Sequence, residues 1–324
     1  MTALNNKNST VLKMRHWKIF LTYISLVFMS FFWLDISPIH ANESITSKKI
    51  NLAGRQRMLS QRIAKASCYI STFTEVPKHV AILRDSINSF EEAHNALKLG
   101  SRNLQLPSEK NTVILAELKK LDPILRHLNF ASTILIETPH LPGLDMDIIA
   151  ELDQPALAQA NEIVKAIEQT SSNENSETNS NGLSLNKAIN LAGRQRMLIQ
   201  KATKEFCFIT YGLNVLKNEE NLLKTIHLLD RSFNRLIAGD PDQSITVPPT
   251  VEIANNLKRI KAQWLVIRHI MKKTNHNELP QSNDFKIISD INEPLMEQMD
   301  SVVKLYVEHS QANFIGPPLT TESH

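Results

Sequence analysis

Ile50-Asn51-Leu52-Ala53-Gly54-Arg55-Gln56-Arg57-Met58-Leu59 recurs letter for letter as Ile189-Asn190-Leu191-Ala192-Gly193-Arg194-Gln195-Arg196-Met197-Leu198, 139 residues further on. The same offset carries Gln61 onto Gln200, Lys65 onto Lys204, Cys68 onto Cys207, Gly100 onto Gly239, Leu118 onto Leu257, Pro155 onto Pro294 and Val164-Lys165 onto Val303-Lys304. A repeat of this period, loops included, is a duplicated module.

Within each copy, apolar residues return at helical spacing and glycine and proline break the pattern into four pieces. The spacing predicts helices near 46–74, 78–99, 108–138 and 146–169, and again near 184–215, 219–238, 249–274 and 284–312. The fold class is therefore all-α: two tandem four-helix bundles, 42–170 and 184–312, with a tail at 313–324. Pro155 and Pro294 fall inside the fourth apolar pattern of each copy, where a helix either kinks or restarts. Residues 171–183 include a run of Ser, Asn, Glu and Thr and are expected to form a flexible linker. Such a linker holds the modules at high effective concentration, so they can pair as an intramolecular pseudo-dimer.

The amino terminus decides the compartment. Lys7, Lys13, Arg15 and Lys18 precede an apolar run from Ile19 to Leu34, which ends near Ser37-Pro38-Ile39-His40-Ala41. This is a signal-peptide profile, with cleavage expected after Ala41. The alternative is an N-terminal membrane anchor flanked by Trp17 and Trp33, although the run falls short of the roughly 20 residues a spanning helix needs. Either way the rest of the chain is exported, to a periplasmic location. The four basic residues and one acidic residue of 1–41, taken from 36 and 33, leave 32 of each sign. A neutral body without a basic stripe argues against nucleic acid as a partner.

The polar residues of the repeated decapeptide need a physical reason. At about 100° per residue, Gly54, Arg57, Gln61, Ala64 and Cys68 share one helix face. Arg55 and Arg62 point elsewhere and, with Arg194 and Lys201, read as solvated or structural. A helical glycine costs about 1 kcal/mol relative to alanine, which close approach of a backbone or ligand would justify. If Gly193, Arg196 and Gln200 meet Gly54, Arg57 and Gln61 across a local two-fold axis, two guanidinium groups share one interface and call for an anion between them. The other reading has both arginines reaching solvent or pairing with carboxylates on neighbouring helices. Cys68 and Cys207 lie on the same face: they either form a disulfide across the axis or remain two buried thiols.

No enzyme emerges. The 11 histidines show no metal-ligand spacing, and no phosphate loop or nucleophile motif is present. His127 and His269 do not coincide under the offset and are expected at the surface or half-buried, Trp264 in a core. No metal or cofactor is expected.

The strip from Ile50 to Arg62 resembles the signature of the periplasmic sensor module shared by type IV pilus chemotaxis receptors and nitrate/nitrite sensor kinases, the PilJ/NarX-like module. The resemblance spans both copies and is specific at the first helix of each. It implies a four-helix sensor bundle in which a small anion, nitrate or nitrite in kind, sits between two first helices. Carried over by motif, Gly54, Arg57, Gly193 and Arg196 contact it, with Gln61 and Gln200 one turn further. The second copy departs at Ile199, Lys201 and Ala202, where the first has Ser60, Arg62 and Ile63. The Arg55-Gln56 pair resembles the pilus-receptor branch more than the nitrate-sensing one. The chain reaches His324 without a second membrane helix or a cytoplasmic region, so the output is expected from a membrane receptor or envelope complex. An envelope adaptor that modulates such a complex without a small ligand is the alternative.

Overall fold

The computed structural model describes residues 38–140, 143–174, 180–273 and 280–312. They form eight α-helices: α1 (Pro38–Ser71), α2 (Val76–Leu99), α3 (Thr112–Glu137), α4 (Leu144–Glu174), α5 (Ser180–Tyr211), α6 (Val215–Ala238), α7 (Val251–Lys273) and α8 (Ser282–Ala312). Helices α1–α4 make one four-helix group and α5–α8 the other. In the first group α3 packs on α2 and α4; in the second, α7 packs on α6 and α8, and α8 on α5. The two groups bury one continuous apolar core that runs from Ile50 to Val307. Trp264 is fully enclosed in it, with Nε1 donating to Asp230 2.9 Å away, while His127 and His269 are exposed.

Most helix ends have a local cause. Helix α1 stops at Ser71 because the turn that follows puts Phe73 and Glu75 at positive φ. Helix α3 starts at Thr112, later than the apolar pattern implies, because the Asn111 side chain accepts from the amides of Val113 and Ile114. Helices α4 and α8 run through Pro155 and Pro294 and do not restart. The segment expected as a linker is shorter than 171–183: α4 extends to Glu174 and α5 begins at Ser180. Extending an existing helix by a few polar residues is far easier than nucleating one. The expected signal segment up to residue 37, the linker residues 175–179 and the tail from 313 lie outside the described residues.

Gly100 and Gly239 each end a helix at positive φ, 83° and 78°, ahead of a tight loop closed by a Ser101–Leu106 or Asp240–Ile245 backbone pair. The two are not equally replaceable. A Cβ on Gly100 would lie 2.7 Å from the Ser108 nitrogen and 2.8 Å from the Leu106 oxygen, whereas one on Gly239 has 3.2 Å. Both alanine variants carry the φ strain, of order 1–3 kcal/mol, and only Gly100→Ala adds a backbone clash. Thermal unfolding is therefore expected to show a clearly larger midpoint loss for Gly100→Ala than for Gly239→Ala; equal losses would refute this account.

Candidate functional site between the first helices

Helices α1 and α5 lie side by side in parallel, in a register that sets each residue against its own repeat equivalent. Ser47 Oγ donates to Asn186 Oδ1 at 2.6 Å. Cys68 and Cys207 are joined by a disulfide, with Cα atoms 6.2 Å apart. Both are pairs at the repeat offset, so both sit on the local two-fold axis. Between them, Gly54 and Gly193, then Gln61 and Gln200, continue the same seven-residue spacing. This is the seam of a parallel two-helix coil, whose core positions recur every seventh residue.

At the glycine layer the seam has no side chains of its own, and arginines fill the space. A Cβ on Gly54 would lie 3.2 Å from Arg57 Nη2 and 3.5 Å from Arg196 Nη2; one on Gly193 would lie 3.3 Å from Arg196 Nη2 and 3.8 Å from Arg57 Nη2. The two guanidinium groups converge on one spot, and the glycines are there to admit them. Both arginines are buried, at 4% and 1% exposure. Each reaches across the axis to an asparagine of the repeated decapeptide: Arg57 Nη2 donates to Asn190 Oδ1 at 2.7 Å, Arg196 Nη2 to Asn51 Oδ1 at 2.9 Å.

The symmetry fails in how the charges are answered. Arg196 also forms an ion pair with Asp300 on α8. Position 161 on α4, the repeat equivalent of Asp300, is Asn161. Among the described residues no carboxylate lies within ion-pair distance of Arg57. The nearest acid in its electrostatic surroundings, Glu168, is linked through Asn190, whose Nδ2 donates to Glu168 at 2.8 Å. Burial lowers the Arg57 guanidinium to about 9, with Glu168 opposing and Arg196 and Arg194 adding to the shift. Burial likewise pushes the Glu168 carboxyl above its ordinary range despite Arg57. Both shifts describe charges the fold has only partly compensated.

One turn beyond, Gln61 donates from Nε2 to the Asp153 carbonyl on α4 at 3.3 Å. Its Oε1, both amide atoms of Gln200, and Nε of Arg57 and Arg196 are buried with no hydrogen-bond partner among the described residues. The seam thus carries polar capacity that the chain itself leaves unused.

A second polar layer escapes a reading of the sequence. Lys65 and Lys204, 1% exposed, cross to the opposite module. Lys65 meets Glu293 and, at 2.8 Å, Asn292 on α8; Lys204 meets Asp153 on α4. Arg62, expected to be solvated or structural, is structural: it is buried, and it bonds Glu293 from Nε at 2.9 Å and also pairs with Asp85 on α2. The available signals were the exact recurrence of the lysine and an acid within two residues ahead of each helical proline, Asp153 before Pro155 and Glu293 before Pro294, although these acids are not repeat equivalents. Asn51 and Asn190 were likewise visible inside the decapeptide. Arg55 and Arg194 are exposed.

Among the described residues no cluster of His, Cys, Asp and Glu could hold a metal ion, and no helix is long and apolar enough to cross a membrane. The disulfide fits an oxidising, extracytoplasmic location. The family model described as "Type IV pili methyl-accepting chemotaxis transducer N-term" (PilJ) matches residues 41–140 and 177–284, and so falls on both modules. A comparison with curated proteins found no match to the chain.

Proposed function

Because this chain belongs to the PilJ family of type IV pili methyl-accepting chemotaxis transducer N-terminal modules, which are non-catalytic sensor domains, we propose that it senses a small oxyanion, nitrate or nitrite in kind, between α1 and α5. The observation that carries this reading is the convergence of the Arg57 and Arg196 guanidinium groups on the gap between Gly54 and Gly193. Two buried cations that converge on one gap repel, and an oxyanion between them accepts charge-assisted hydrogen bonds from both while offsetting their desolvation. The protein then works in the periplasm, exported by a cleaved signal segment. It passes its occupancy to a membrane receptor or envelope complex.

The Arg196–Asp300 pair favours a second reading, in which the arginines only join the modules and the bundle acts as an envelope adaptor without a small ligand. Thermal unfolding separates the two. A ligand at about 100 times its Kd adds roughly 2.7 kcal/mol of stability. Nitrate, nitrite or another small anion is expected to raise the midpoint of the wild type and not that of the Arg57→Ala/Arg196→Ala double variant. If no anion raises the wild-type midpoint at millimolar concentrations, the sensor reading falls and the adaptor stands.

A further inference from the structure

A cavity of about 750 Å³ opens on one flank of the seam, walled by α4, α5 and α6 with Arg57 in its lining. Its outer part carries Arg194, which is exposed, and Arg235, which is half-buried and already pairs through Nε with Asp240 at 2.8 Å; Arg57 is buried at the inner end. Five cationic side chains line it against three acidic ones. The flank has diverged from its repeat counterpart at the positions that matter. Arg235 stands where the first copy has Ala96, and Asn161 where the second has Asp300. The outcome is an inner arginine without a direct carboxylate partner among the described residues, reached through a vestibule that holds two more arginines. Arg196, in contrast, is already answered by Asp300.

We propose that this flank is a one-sided binding site for an organic polyanion, a di- or tricarboxylate, with one carboxylate on Arg57 and another on Arg194, assisted by the Arg235 amino groups that its Nε pairing with Asp240 leaves over. The inference rests on the anion-sensing reading above and deepens it. The cavity is far larger than a single planar oxyanion needs, and its cations lie at two depths, so one ligand with separated charges satisfies both. Asn161 is what keeps the inner position available. An aspartate there would occupy Arg57 as Asp300 occupies Arg196.

Isothermal titration calorimetry on the whole protein tests this with succinate and citrate against acetate and nitrate. Succinate or citrate is expected to bind with one ligand per chain and a Kd at least about tenfold lower than acetate or nitrate. Asn161→Asp is expected to weaken that binding at least about tenfold without lowering the thermal midpoint, since it installs the pairing that the other copy already uses. Arg235→Ala, which installs the residue of the first copy, is expected to weaken succinate and citrate but not acetate. Lys224→Ala, remote on the surface of α6, serves as the control. If nitrate binds as well as citrate and Asn161→Asp changes neither, the one-sided site is overturned while the arginine-pair reading survives. If none of the four anions binds, both fall.

Discussion

Glu293→Ala is expected to lower the unfolding free energy by about 3–5 kcal/mol, the usual cost of stripping one partner from a buried ion pair. Among the described residues Glu293 is the one acid shared by Arg62 and the enclosed Lys65, and it comes from the other module. Its loss leaves Lys65 with Asn292 and Arg62 with the exposed Asp85. The pH dependence follows from the same contacts. Burial alone would raise the Glu293 carboxyl, but Lys65 and Arg62 outweigh it and hold it at about 2. A carboxylate whose folded value lies below its unfolded value of about 4.3 contributes stability that is complete above 4.3 and is lost as pH falls toward 2. That contribution is about 3 kcal/mol by the same arithmetic. Urea titrations at neutral pH and at several points below pH 5 are expected to show a steeper acid loss in the wild type than in Glu293→Ala. A variant within about 1 kcal/mol of wild type at neutral pH would sink this account of the layer.

The second large effect lies at the far end of the seam. Reduction, or Cys68→Ser/Cys207→Ser, is expected to cost about 2–5 kcal/mol, because the bond closes a loop with a sequence separation of 139, toward the top of the range chain entropy allows. The native state is expected to keep its helical signal and its register after reduction. Ser47–Asn186, the crossed arginine–asparagine pairs and the two lysine latches all specify that register independently. The measurement is chemical unfolding with and without reductant, alongside the double serine variant. A midpoint that does not respond to reductant would mean the bond is not formed.

The seam gives a reason for three of the identical positions of the decapeptide. Asn51, Gly54 and Arg57 on one helix, and Asn190, Gly193 and Arg196 on the other, act as one reciprocal unit: each arginine needs the other helix's asparagine as acceptor and both glycines for room. Changing either glycine crowds both arginines, and changing either asparagine strips the opposite arginine of its acceptor. Most of the surrounding module is under no such reciprocal constraint, which is why Asn161 and Asp300, or Arg235 and Ala96, could part.

The duplication, the eight helices and the seven-residue face that includes Gly54, Gln61 and Cys68 were all legible in the chain. Those features follow from local periodicity, from the exact 139-residue repeat and from the breaks between the periodic segments. The face also put both arginines on the side that would meet the other module if the copies paired, while leaving open that they reach solvent or a carboxylate. What the sequence could not decide is what answers each buried charge. Arg57 and Arg196 lie in the same decapeptide and each meets an asparagine, yet Arg196 also pairs with Asp300 while Arg57 has no carboxylate at ion-pair distance among the described residues. Lys65 looks like any helical lysine until α8, more than 200 residues away in the chain, brings Glu293 against it. A helix's own pattern tells which residues turn inward, because that depends on a rise and a rotation per residue. The partner that neutralises an inward charge depends on the register between helices remote in sequence, and the tertiary structure alone fixes that.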